Sequence, residues 1–292
     1  MFKQINRFGL LLVAAASLYS CTSKDGYETD KSGLLYKFYE DKEGTPAKEG
    51  DIITLSMIYK TSKDSVLFDT KKIGKPLEFI LPPSSFVGSL EYGLAKLSAG
   101  DSASFQVSAD SLFEKTFHAK RPDFIEENSK ITFNVRLIKV QTKEQFEKSQ
   151  VEKKEAQIAI DDKLITDYLA TNGVKATKTD LGIYYSVVNP GKGANPNTGD
   201  TVSVHYTGKF LDGKIFDSSA NAGKPLEFPV GYGFVIKGWD EGLKLVKTGE
   251  KGILYIPSGL AYGPAGAGGV IPADAVLIFE VELVKVKPAK KK

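Results

Sequence analysis

The sequence predicts an α+β protein in which one architecture occurs twice: two curved antiparallel sheets, each wrapped on one short helix and joined by a helical connector. Three observations carry this expectation. Runs such as residues 201–206 and 275–286 alternate or stay apolar with β-branched residues, and clusters of Gly, Pro, Asn and Asp separate them, as strands and turns require. A single short segment, residues 237–245, has helical spacing, with Trp239, Leu243 and Val246 able to share one face. Finally, Gly74-Lys75-Pro76-Leu77-Glu78-Phe79 recurs without a change at residues 223–228.

Taken from the N-terminus, residues 1–20 read as a signal peptide. Lys3 and Arg7 give a basic start, residues 8–18 an apolar stretch, and Ser20 a small residue before Cys21. The stretch is about half the ~20 residues that a transmembrane helix needs. Cys21 is the only cysteine, whereas exported chains ordinarily carry cysteines in pairs. Leu18-Tyr19-Ser20-Cys21 resembles a bacterial lipobox, whose cysteine becomes the lipidated first residue of the mature chain. Lipidation at Cys21 would explain the unpaired thiol and supply a membrane anchor. Residues 22–32 are polar without an apolar period, so residues 21–32 are expected to be a lipidated cysteine followed by a flexible tether. The location this implies is the cell envelope, lipid-anchored and periplasm-facing or surface-exposed, with the outer membrane as the expected membrane.

About 270 residues remain after the signal peptide, which favours two domains of ordinary size. The second spans residues 174–288, followed by a basic tail at 289–292. The first, residues 33–142, reads as a diverged copy. Tyr59 falls on Tyr206 at an offset of 147 residues, Asp69 on Asp217 at 148, and Gly74 on Gly223 at 149. Phe68 likewise falls on Phe216, so Tyr59, Phe68 and Asp69 are expected to survive in the copy. Leu90 stands at the place of Trp239, and Phe113 at that of Tyr262.

Residues 143–173 are rich in Glu, Lys, Gln and Ala, contain no proline, and end on Asn172-Gly173, a helix stop. Ile158, Ile165, Tyr168 and Leu169 make an apolar stripe that either docks on a domain or pairs with a second chain, giving a dimer through 143–173; docking is the simpler expectation, and the oligomeric state stays open.

Function is narrowed mostly by exclusion. The formal net charge is +3, with bases and acids interleaved except at Lys290-Lys291-Lys292, so no nucleic-acid partner is expected. The two histidines, His118 and His205, and the single cysteine offer no ligand cluster, and no metal or cofactor is expected. What residues 204–279 do offer is a set of aromatics at the ends of short strands, able to line an apolar pocket with few polar groups.

In order and spacing, Tyr206-Thr-Gly, Gly213-Lys-Ile-Phe216-Asp217-Ser-Ser, Lys224-Pro-Leu-Glu-Phe228, Val235-Ile-Lys-Gly-Trp239, Ile256-Pro257, Ala261-Tyr262-Gly263, Ile271-Pro272 and Leu277-Ile-Phe279-Glu-Val-Glu-Leu283 resemble the FKBP-type peptidyl-prolyl isomerases. The match covers nearly all of residues 183–287. The resemblance implies two FKBP-like domains, the first degenerate, and peptidyl-prolyl cis-trans isomerase activity in the second. Its substrates would be proline-containing unfolded or nascent exported polypeptides. It implies Asp217, Tyr262, Tyr206, Trp239 and Phe279 as catalytic residues, and Phe216, Val235, Ile236, Val270, Ile271, Leu226 and Phe228 as substrate-binding residues. The Ile236 N–H would be a further donor. Leu226, Phe234 and Ala267 depart from the family pattern at the rim. The alternative is a chaperone or peptide-binding lipoprotein whose FKBP folds hold clients without significant catalysis.

Overall fold

A computed structural model describes residues 26–289. The signal peptide, Cys21, the start of the tether and Lys290 to Lys292 lie outside the described residues. The chain divides into two compact units, Met1–Lys148 and Ser149–Lys292.

In the first unit, β1 (Glu28–Thr29), β2 (Leu35–Glu40), β3 (Ile52–Lys60), β4 (Val66–Asp69), β5 (Leu77–Ile80), β6 (Ser102–Ser108) and β7 (Lys130–Gln141) form one seven-stranded sheet. Its order is β1-β2-β6-β7-β3-β4, with β5 also on β3, and every pairing is antiparallel. Strand alternation decides which side is core: Ile131, Phe133, Val135 and Leu137 of β7 are buried, with less buried residues between them. The helical pieces are short: α1 (Thr70–Ile73), α2 (Leu90–Leu94) and α3 (Ala109–Ser111), with a π-helical turn at Leu112–Thr116. Leu94 of α2 joins the sheet's buried core.

One expectation needs correcting here. Residues 28 and 29 were assigned to a flexible tether, yet they form β1 on the sheet edge. The Tyr36 hydroxyl donates to Glu28 at 2.9 Å, Asp30 accepts from the Ser32 N–H and hydroxyl, and Lys96 lies 2.8 Å from Asp30. A polar segment with no apolar period is thus tied down by side-chain partners, of which Lys96 on Asp30 and Ser104 on Tyr27 are distant in sequence.

The helix α4 (Lys143–Thr171) runs the length expected of the connector, and Gly173 ends it with φ +63°. Its C-terminal part belongs to the second unit, which begins at Ser149 rather than at residue 174.

The second unit contains β8 (Thr177–Lys178), β9 (Tyr184–Asn189), β10 (Thr201–Lys209), β11 (Ile215–Ser218), β12 (Leu226–Pro229), β13 (Lys251–Ile256) and β14 (Leu277–Lys287). The sheet order is β11-β10-β14-β13-β9-β8, with β12 on β10. The short helix α5 (Lys237–Gly242) and a 3₁₀ turn at Leu243–Leu245 pack Trp239 and Leu243 into the core with Val246. Gly238 permits that approach: a Cβ there would stand 2.3 Å from Ile256 Cγ2.

The unbroken apolar run at residues 276–279 is explained by cover on both faces. Leu277 and Phe279 face the α5 core, whereas Val276 and Ile278 cluster with Tyr184, Tyr255 and, from α4, Ile165 and Leu169. The apolar end of the connector therefore docks on its own unit, as the simpler expectation held. Ile158 takes no part and is 55% exposed. Ile165→Ala is expected to cost about 2–4 kcal/mol, while Ile158→Ala changes stability by no more than about 0.5 kcal/mol. Denaturant unfolding followed through the emission of Trp239, the chain's one tryptophan, measures both in the second unit.

Candidate functional site

On the inner face of the second sheet, β10, β11, β14 and α5 bring aromatic rings together. Trp239 lies edge-on to Phe279 with centroids 5.1 Å apart and to Tyr206 at 4.9 Å. Phe216 meets Phe279 edge-to-face at 5.6 Å. Such geometries are favoured by the ring quadrupoles. Gly208 makes room for them, since a Cβ there would be 2.6 Å from Phe216 and 2.9 Å from Phe279. Trp239 Nε1 is buried and has no hydrogen-bond partner among the described residues.

One polar pair borders this apolar set. The Tyr206 hydroxyl donates to Asp217 at 2.7 Å, and the other Asp217 oxygen accepts from the Ser218 N–H at 2.8 Å. Burial first, then the bond to Asp217 and the nearness of Tyr262, pushes the Tyr206 phenol up to about 12. Tyr206 therefore stays neutral and donating across the physiological range. Subtracting the alkaline absorbance titration of Tyr206→Phe from that of the wild type should isolate a phenol with a midpoint near 12. A difference centred near 10, the ordinary value, is the contrary result. Because the folded value lies above the unfolded one, stability from this group is full below pH 10 and is lost as pH rises through about 12.

A cleft of about 290 Å³ opens beside the pair and runs to Pro225 and Leu226. Val235, Ile236 and Ile271 are partly buried against the same core. The Ile236 N–H makes no hydrogen bond among the described residues. Tyr262, 41% exposed, stands at the edge of the site, near enough to influence the Tyr206 phenol. Two expected wall residues sit elsewhere in depth: Phe228 is core, 5.9 Å from the Trp239 ring, while Val270 is 59% exposed and does not join the cluster.

Sequence reasoning missed two contributors. Phe210 packs at 4.9 Å on Phe216. Asp240, buried in the first turn of α5, accepts from the Gly231 N–H at 2.9 Å and the Gly233 N–H at 2.7 Å. These bonds hold the loop that leads into Val235 and Ile236. An acid after Trp239 at a helix start was a readable sign of such a role.

The first unit corrects the expected correspondence of the copies. Both sheets carry register shifts at the same two places: after Thr54 and after Tyr59 in β3, and after Ser203 and after Gly208 in β10. Thr70 accepts from the Met57 N–H as Ser219 accepts from that of Tyr206. Thr54 to Ser203, Tyr59 to Gly208 and Thr70 to Ser219 are all separations of 149 residues. Tyr59 thus occupies the place of Gly208 and not of Tyr206; Met57 stands where Tyr206 stands, Phe68 where Asp217 stands, and Asp69 where Ser218 stands. Function follows the register: Asp69 accepts from the Lys71 N–H as the cap of α1, just as Ser218 caps the turn at Ser219–Ala222. Tyr59 stacks on Phe68 at 5.4 Å and packs on Phe133 at 5.0 Å, so its ring fills space next to the counterpart of Phe279. Leu90 stands at the counterpart of Trp239, since Gly93 meets Phe105 as Gly242 meets Leu254, each 149 residues apart; Phe113 lies in the π-helical turn, whereas Tyr262 follows a 3₁₀ turn.

Comparison with known proteins agrees with this pattern. The profile of the family "FKBP-type peptidyl-prolyl cis-trans isomerase" matches residues 43–138 and 192–284. A protein named FK506-binding protein 2 from Yarrowia lipolytica is 49% identical over 123 residues, 42% of this chain and 85% of that protein. The FKBP-type 22 kDa peptidyl-prolyl cis-trans isomerase of Escherichia coli is 49% identical over 121 residues, 41% of this chain and 58% of the relative. FkpA of Aeromonas hydrophila is 49% identical over 128 residues, 42% of this chain and 46% of the relative. The matched part thus spans about half the length of these two bacterial relatives. With one matched segment in each unit, the chain belongs to the FKBP-type peptidyl-prolyl cis-trans isomerase family.

Proposed function

We propose that this chain isomerises X-Pro peptide bonds at the aromatic cluster of its second unit, and that it assists the folding of exported proteins from a lipid anchor on Cys21 in the cell envelope. The observation that carries the catalytic reading is the Tyr206 hydroxyl, held on Asp217 at 2.7 Å beside a floor of Trp239 and Phe279.

Amide resonance sets a barrier of about 18–20 kcal/mol to rotation, and uncatalysed exchange at proline takes roughly tens to hundreds of seconds. No bond is made or broken, so the site has only to bind the twisted amide better than either planar form. Twisting removes part of the charge separation between nitrogen and oxygen, and an apolar box therefore favours the twisted state over the planar one. In this reading Tyr206, Trp239 and Phe279 receive the proline ring, with Phe216, Val235 and Ile271 closing the walls. The Tyr262 hydroxyl and the Ile236 N–H donate to substrate carbonyls, and Asp217 fixes the Tyr206 ring while placing negative charge at the mouth. Leu226 and the exposed Val270 meet the residues flanking the proline. Phe228 supports the Trp239 ring from within the core.

The test uses the full chain in a proline-peptide exchange assay, with Asp217→Val and Tyr262→Phe beside the wild type. Faster exchange by the wild type, reduced in both variants, is expected; no acceleration over the uncatalysed rate ends the catalytic reading. For the anchor, metabolic labelling with a lipid precursor is expected to mark the wild type and not Cys21→Ser. Equal labelling of the two removes Cys21 as the site.

A further inference from the structure

We propose that Asp161, on the connector helix α4, is a positioning residue for Tyr262, so that this helix forms part of the isomerase site; the inference rests on the isomerase reading above. Asp161 is 1% exposed, an unusual place for a carboxylate, and with Ile165 and Leu169 it is one of three buried residues on a helix whose other residues are half-buried or exposed. One of its oxygens accepts both the N–H and the hydroxyl of Ser258, each at 2.7 Å, and the other accepts from Gln157 Nε2 at 2.8 Å. Ser258 is itself fully buried and opens the 3₁₀ turn Ser258–Leu260, which the Ala261 N–H closes on the Ser258 carbonyl at 2.9 Å. Tyr262 follows directly.

In the segment from Ser258 to Asp274, Leu260, Ala261 and Ile271 pack against the Trp239 core, and few polar groups hold the rest. Among the described residues, the two bonds from Ser258 to Asp161 are its only side-chain hydrogen bonds. Gly263, Gly266, Gly268 and Gly269 all have positive φ, and the far end is closed by backbone bonds from Asp274 to Gly263 and between Ala267 and Ile271. The polar hold on the entry to the loop therefore comes from α4, beside the packing of Leu260 and Ala261 on the core. The docking of Ile165 and Leu169 one and two turns further along gives Asp161 a rigid base. Asp162, its neighbour, adds a bond from the Tyr184 hydroxyl at 2.7 Å and an ion pair with Lys178.

A hydroxyl that must meet a substrate carbonyl loses much of its effect when displaced by an ångström. In the full chain, Asp161→Ala is expected to lower kcat/KM by about tenfold at a temperature where Trp239 emission reports a folded second unit. Asp161→Asn should stay within about twofold of the wild type, because its Oδ1 can accept both Ser258 donors and Gln157 can turn its amide to present an oxygen. The decisive arm is the Tyr262→Phe background. There Asp161→Ala should cost no more than about twofold further, since the group it positions is gone. The same fractional loss in both backgrounds identifies a purely structural role and overturns the proposal, as does an Asp161→Ala chain with wild-type kcat/KM. Should Asp161→Ala fail to fold, Ser258→Ala, which removes one of the two bonds, carries the same comparison with an expected loss of about threefold. A wild-type chain without activity overturns the isomerase reading and this proposal together. An active wild type indifferent to Asp161 overturns this proposal alone.

Discussion

Removing three polar groups from the second unit, with Tyr206→Phe, Asp217→Ala and Tyr262→Phe in one full-length chain, is expected to reduce prolyl isomerisation at least about thirtyfold, leaving no second activity beneath it. The rings stay, so the fold of the site is retained and the loss is one of chemistry. The expectation concerns the first unit as much as the second. With Met57 at the place of Tyr206 and Phe68 at that of Asp217, the hydroxyl-to-carboxylate pair has no counterpart there. Leu90 replaces the tryptophan, and the ring of Tyr59 packs on Phe133 where, in the other copy, Gly208 leaves its surroundings to the rings of Phe216 and Phe279. The complementary chain, Tyr59→Ala with Phe68→Ala, should keep kcat/KM within about twofold of the wild type. Residual activity above a tenth of the wild type in the triple variant, lost on adding the first-unit changes, would relocate part of the catalysis to the first unit.

Trp239 carries the second large effect. Its ring touches those of Tyr206, Phe228 and Phe279 and is almost fully buried. Trp239→Ala is expected to destabilise the second unit by about 3–5 kcal/mol, since the loss of burial is compounded by the cavity left among three rings. Trp239→Leu, which writes the first unit's residue into the second, should fold with a smaller penalty and yet lower kcat/KM at least about tenfold, because the floor proposed for the proline ring becomes narrow and aliphatic. Circular dichroism melting and peptide exchange separate the two consequences. A Trp239→Leu chain that isomerises at the wild-type rate would show that Phe279 and Tyr206 suffice as a floor.

Much of this was legible in the chain itself. The period of residues 275–286, the glycine stop after Asn172 and the spacing of Trp239, Leu243 and Val246 gave the strand, the connector and the short helix, because each is imposed by contacts within one element. The ordered motifs between Tyr206 and Phe279 were enough to gather the aromatic residues that the fold brings within about 5–6 Å of one another. Correspondence between the copies was not legible in the same way. Matching Tyr59 to Tyr206 and Asp69 to Asp217 paired like letters across offsets that differed by a residue or two, and a one-residue slip in a strand moves every side chain to the other face. Only the pairing of β3 with β4 and β7 fixes the offset at 149 residues and shows that the Tyr206–Asp217 pair has no counterpart in the first copy.

By itself, then, the sequence determined the two-copy α+β architecture, the helical connector and the aromatic cluster of the second unit, since local periodicity and motif order are written along the chain. The tertiary structure alone decided the register of the first copy, the placement of β1, the docking of α4 by Ile165 and Leu169, and the bonds from Ser258 to Asp161 across 97 residues. These depend on which distant groups meet when the sheets close, and no spacing within a single segment carries that information.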